Sequence, residues 1–115
     1  MIAVIFESEP LIGKQQAYLH AADVLRTQLD QADGFISIER FESLTQPGKL
    51  LALSFWRDEE AVRQWRNLVS HRRIQDSSRR TIFADYRLRV AAVIRDYTML
   101  NREQAPQDSQ TAFIV

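Results

Sequence analysis

Apolar residues recur along the chain in two rhythms, every second residue and every third or fourth. Their order predicts strand, helix, strand, strand, helix, strand. Ile2 to Glu7 is rich in β-formers and predicts a first strand, and Pro10 and Gly13 punctuate the connection after it. From Lys14 to Ala32 there is neither Pro nor Gly. Tyr18, Ala22, Leu25, Leu29 and Ala32 lie at helical spacing, which predicts an amphipathic helix with one buried stripe, ended by Asp33-Gly34. Phe35 to Leu44 reads as a second strand, with Phe35, Ser37, Glu39 and Phe41 on one face and Ile36, Ile38 and Arg40 on the other. Pro47-Gly48 suits the centre of a type II turn, so Leu50 to Trp56 forms a hairpin with that strand.

Asp58 predicts a helix N-cap, with Glu59 and Glu60 in the first turn, where the helix dipole favours them. Ala61, Val62, Trp65, Leu68 and Val69 mark the buried face. The pattern loosens near Ser70 and resumes with His71, Ile74, Gln75 and Ser78, which predicts a bend followed by more helix. Asp85 to Tyr97 is a β-rich run, and Glu39 and Glu42 are expected to pair across strands with Arg87, Arg89 or Arg95. The remainder is polar apart from Phe113-Ile114-Val115.

The order is that of an α+β, ferredoxin-like βαββαβ unit, an antiparallel four-stranded sheet with both helices on one face. Apolar residues occupy both faces of the strands: Leu51, Leu53 and Phe55 oppose Ala52 and Trp56, for example. Burying five or six such side chains stabilises by roughly 10 kcal/mol, so the uncovered face predicts a homodimer packed sheet to sheet. The domain is expected over residues 1–97. Residues 98–115 are expected to form a C-terminal tail whose apolar end, Phe113-Ile114-Val115, either docks on the partner or is disordered.

Composition narrows the chemistry. Fifteen basic and fifteen acidic residues cancel, which argues against nucleic acid as a partner. The third strand also lacks the glycine-and-aromatic signature of RNA-recognition sheets. The absence of cysteine removes disulfides, thiolate metal sites and thiol nucleophiles. No apolar run has the length of a membrane span, and the first residues read as a strand rather than a leader peptide, so the expected location is cytoplasmic.

Several segments together resemble one known family. They are Gly34 to Leu44 (GFISIERFESL), Leu50 to Arg66 (LLALSFWRDEEAVRQWR) and the long last strand ending Arg95-Asp96-Tyr97. This pattern is similar to the antibiotic biosynthesis monooxygenase family. The resemblance implies a dimeric α+β barrel. It also implies an enzyme that oxidises a small aromatic molecule of phenol, quinol or anthrone type with molecular oxygen, using no metal or flavin cofactor. A heme-degrading branch pairs a tryptophan with an iron-binding histidine further along the same helical segment. Trp65 matches the first, but Gln75 stands in place of the second, with His71 one turn earlier. Heme binding and a non-catalytic, ligand-binding dimer are the alternative readings.

Within this frame His71 is the leading catalytic candidate, because an imidazole exchanges protons near neutral pH. Trp56 and Trp65 suit the walls of a flat pocket, although aromatics at strand ends and on helix stripes are commonly core. Phe83 and Tyr86 border the same expected cavity, as do Phe35 and Phe41. Gln75 or Arg66 suits an anion formed on the substrate. The dense arginines from Arg57 to Arg80 otherwise describe a solvated helix face.

Overall fold

The computed structural model describes residues 1–68, 72–73 and 81–110. His71, Gln75 and Phe113-Ile114-Val115 lie outside the described residues. The elements run β1 (Ile2–Pro10), α1 (Gln15–Asp30), β2 (Phe35–Glu42), β3 (Leu50–Trp56), α2 (Glu59–Arg66) and β4 (Phe83–Ala92). The sheet order is β2-β3-β1-β4 with every neighbouring pair antiparallel. This is the ferredoxin-like α+β topology that the element order predicts.

Trp56 is the point where the elements meet. It is 2% exposed and clusters with Leu29 of α1 and with Ala61 and Val62 of α2, so both helices cover the same face of the sheet. Ile2 and Val4 from β1, Phe35 and Ile38 from β2, and Trp65 pack around that cluster. The indole Nε1–H donates to Ser54 Oγ at 3.0 Å, which satisfies a donor sealed from water. Burial alternates along β3 residue by residue, with Leu50, Ala52, Ser54 and Trp56 innermost. The helix stripe of Tyr18, Ala22, Leu25, Leu29 and Ala32 is the buried or half-buried side of α1.

The structure corrects the strand readings in three places. The register shifts between Phe35 and Ser37, so Phe35 pairs with Trp56 and Ile38 with Ser54. A β-bulge there breaks the simple alternation. It turns Phe35 and Ile38 inward together and leaves Phe41 on the opposite face, 42% exposed. β4 begins earlier and ends earlier than Asp85–Tyr97, because among the described residues β1 is its one partner. The last bond is from Val93 N–H to Met1 O at 3.0 Å, where β1 begins. Glu39 and Glu42 do not meet the β4 arginines, because β2 and β4 are opposite edges of the sheet. Glu7 lies 3.4 Å from Arg89 and 3.7 Å from Lys49 instead.

The turn from α1 to β2 is locked to the start of α2. Gly34 has φ +82°, and a Cβ there would lie 2.6 Å from the Ala61 Cβ. Its carbonyl accepts the Arg57 N–H at 2.7 Å. The Arg57 guanidinium grips both oxygens of Asp33, at 3.1 and 3.0 Å, and reaches Asp58 at 3.1 Å. Asp58 in turn caps α2 by accepting the Ala61 N–H at 2.9 Å. Beyond β4 the chain folds on itself around Arg102. That side chain donates to the Thr98 and Gln110 carbonyls and lies 4.9 Å from the Tyr97 ring centre. Ile94, Met99 and Leu100 on this arm are 85%, 64% and 84% exposed.

Two outcomes follow from the lock. Gly34→Ala meets both the positive φ and the Ala61 methyl, whereas Gly48, at φ +83°, has open space around it. Gly34→Ala is therefore expected to cost about 2 kcal/mol or more and Gly48→Ala about 1 kcal/mol, read by urea unfolding. Equal costs would contradict the close approach.

Acid should also weaken the lock. The Arg57 guanidinium holds the Asp33 carboxyl below its usual range, and the Ala61 N–H, then Arg57, does the same for Asp58. Arg63 draws Glu60 down to about 2. Folded pKa values below the unfolded ones give stability that is present above about pH 4 and lost as pH falls through the folded values. Urea midpoints should drop between pH 4 and pH 2. Asp58→Ala should begin lower at pH 7 and fall less over that interval.

Candidate functional site

Side chains of directly paired residues project to the same side of an antiparallel sheet, so the register maps the helix-facing surface in four rows. The first runs Phe35, Trp56, Ile2, Ala92 and the second Ile38, Ser54, Val4, Val90. The third runs Arg40, Ala52, Phe6, Leu88 and the fourth Glu42, Leu50, Ser8, Tyr86. Most of this inner face is apolar, with the small residues Ala52 and Ser54 near its middle. Leu88 and Val90 on β4 remain 52% and 44% exposed, so among the described residues that side of the face is open.

Two aromatic groups stand at its ends. At one, the Trp56 ring lies 5.3 Å from Phe35 and 6.2 Å from Trp65. At the other, Phe6, Tyr18, Phe83 and Tyr86 contact one another edge-on or tilted, with centroids 5.5–6.4 Å apart. From the Trp56 row to the Tyr86 row is six residues of strand, about 20 Å. α1 braces both ends, since Tyr18 and Leu29 are about 16 Å apart along the helix axis.

The residues proposed for a pocket therefore divide. Trp56 and Trp65 come together, and so do Phe83 and Tyr86, but the two pairs do not share one small cavity. Trp56 has almost no free surface, while Trp65 is half-buried. Arg66 is exposed at the end of α2. Phe41 faces the other side of the sheet and borders a shallow hollow of about 210 Å³ with Glu7, Lys49 and Leu51. A second hollow, of about 240 Å³, lies between the β1–α1 turn and the Pro47-Gly48 hairpin, away from both aromatic groups. Among the described residues no three His, Asp or Glu side chains converge as metal ligands.

Two inner-face groups went unnoticed in the sequence. The Ser8 hydroxyl is sealed in a residue 1% exposed, and the Nε of half-buried Arg40 is likewise shut off from solvent. Among the described residues neither atom has a hydrogen-bond partner. A strand arginine reads as a solvent-facing residue until the Phe35–Ser37 shift fixes its side.

Comparison with known proteins adds the lineage. The sequence model of the antibiotic biosynthesis monooxygenase family matches residues 1–77. A Pyricularia oryzae protein called jasmonate monooxygenase ABM is 44% identical over 93 residues, which are 81% of this chain and 43% of the relative. This chain thus spans less than half of that relative's length. Among solved structures, a Mycobacterium tuberculosis protein superposes with TM-score 0.73 at 20% identity, covering 83% of this chain and 96% of that one. A Deinococcus radiodurans protein does so with TM-score 0.75 at 15% identity, covering 87% and 99%. These last two speak to the fold. The family match over most of the chain and the close fungal relative together establish that this protein belongs to the antibiotic biosynthesis monooxygenase family.

Proposed function

We propose that the chain is a small-molecule monooxygenase that holds its substrate against the inner face of the sheet and works as a homodimer. The observation that carries this is the open apolar strip of Leu88 and Val90 on the helix-facing side, in a chain of this family. Aromatic rings end the strip on both sides, a setting that suits a flat organic molecule.

For an electron-rich phenol, quinol or anthrone the substrate supplies the electrons. His71 acts as the base that removes a proton. The anion then reduces dioxygen: the methylene of an anthrone, or a ring C–H carbon of a phenol or quinol, becomes a carbonyl carbon, and the second oxygen atom leaves as water with the two hydrogens lost. Holding the anion is the part assigned to Gln75 or Arg66, and excluding water falls to the apolar floor. A second reading, an alicyclic keto acid as substrate, is favoured by the name of the 44%-identical relative.

The outer face supports the dimer. Ile5, Leu51, Leu53 and Phe55 share it, and among the described residues no helix covers them. Ile94, Met99 and Leu100 on the arm offer further apolar surface to the second copy.

Oxygen uptake with a panel of anthrones and quinols in metal-free buffer tests the chemistry. Turnover of at least one is expected, with His71→Ala slower by about a hundredfold. No uptake, or an unimpaired variant, would overturn the mechanism. For the assembly, sedimentation at micromolar concentration should show a dimer. Leu53→Lys, which sets a charge on the outer face beside Glu39, should yield a folded monomer. A monomeric wild type would contradict the dimer.

A further inference from the structure

We propose that two copies pack outer face to outer face about a two-fold axis parallel to the strands, so that Glu39 of each copy meets the partner's Arg89. This geometry rests on the homodimer proposed above and decides which sheet edges come together.

The outer face reads in three rows across β2, β3, β1 and β4. The first is Ser37, Phe55, Ala3, Ala91 and the second is Glu39, Leu53, Ile5, Arg89. The third is Phe41, Leu51, Glu7, Arg87. An acid and an aromatic ring stand at the β2 edge, and two bases stand at the β4 edge. Between them the face is mostly apolar, and its leucines, Ile5 and Phe55 are half-buried. Among the described residues neither Glu39 nor Arg87 has an ion-pair partner. Three strand spacings, about 14 Å, separate β2 from β4, so Glu39 and Arg89 of one chain do not reach each other.

A half-turn parallel to the strands lays β2 over the partner's β4 and β3 over the partner's β1. Each row then meets its complement. Phe55 falls on the partner's Ala3, large on small, and Leu53 falls on the partner's Ile5. Glu39 faces the partner's Arg89, and Phe41 offers its ring to the partner's Arg87. Leu51 covers the partner's Glu7, a carboxylate already held by Arg89 at 3.4 Å and Lys49 at 3.7 Å within its own chain. Packed sheets lie about 10 Å apart, a gap that a glutamate and an arginine close between them. Aligned sheets cross at about 30°, which displaces the edges by about one residue, within an arginine's reach. A half-turn perpendicular to the strands through the middle row does the opposite. It sets Glu39 on the partner's Glu39 and Arg89 on the partner's Arg89, and it puts Ala3 under the partner's Glu7. Like charges so opposed disfavour that arrangement.

Sedimentation of the whole chain at low salt tests the axis. Glu39→Arg and Arg89→Glu should each weaken the dimer about tenfold or more, because each sets like charges together. The chain carrying both changes should return to within about threefold of wild type, since the exchanged charges meet only across the interface. An equimolar mixture of the two single variants should form mixed dimers for the same reason. The absence of cysteine gives a second readout that leaves both charges in place. With a short bismaleimide, the chain carrying Ser37→Cys and Ala91→Cys together should cross-link into a dimer, and neither single variant should. If Arg89→Glu unfolds beside Glu7, the cross-link decides alone. No recovery in the double charge variant, no cross-link in the double cysteine variant, or a cross-link in either single one would each overturn the axis. A monomeric wild type sinks the dimer itself, whereas a stable dimer that fails these tests sinks only its geometry.

Discussion

Everything in this fold hangs on the burial of one indole. Trp56 sits at the end of β3 with its N–H on Ser54 and its ring among residues from both helices and the two flanking strands. Because that donor is satisfied inside its own strand, the ring needs no polar partner from the helices. They are free to present only Leu29, Ala61 and Val62. Burying a side chain of this size is worth several kcal/mol, a large part of the stability of a domain this small. The salt-bridged turn at Gly34 then sets how closely the α1–β2 connection approaches α2, leaving no room for a methyl group between Gly34 and Ala61.

That arrangement concentrates tight packing at one end of the sheet. At the other end α1 holds the sheet through Tyr18 and its aromatic neighbours. The stretch between, on the β4 side, keeps apolar side chains in solvent. The outer face carries apolar side chains too, the half-buried Ile5, Leu53 and Phe55, with no helix over them among the described residues. A sheet with two apolar faces and helices on one requires two further coverings. In the proposed dimer a second copy supplies one, and a small guest supplies the other.

Much of this was legible in the chain. The Tyr18-to-Ala32 stripe, the Asp58 cap and the Pro47-Gly48 hairpin follow from local rules of spacing and turn chemistry, and the structure places all three as those rules predict. The family followed from motif likeness rather than from any local rule. What escaped were features set by pairing. The shift at Phe35–Ser37 decides which face Phe41 and Arg40 take, and nothing in GFISIERF announces it. The end of β4 depends on where its partner begins. The split of the aromatics into two groups depends on the length of strand between them. Ser8 and Arg40 became visible only when burial could be set against their missing partners.

The central claim is a division of labour between the two faces of one sheet. Methyl NMR on protein labelled at leucine and valine reads both faces at once. Titration with jasmonate should shift the Leu88 and Val90 signals and leave Leu51 and Leu53 still, whereas the monomerising Leu53→Lys change should move the Leu51 signal and leave Leu88 and Val90 still. Ligand shifts confined to Leu51 and Leu53, with Leu88 and Val90 silent, would contradict the account.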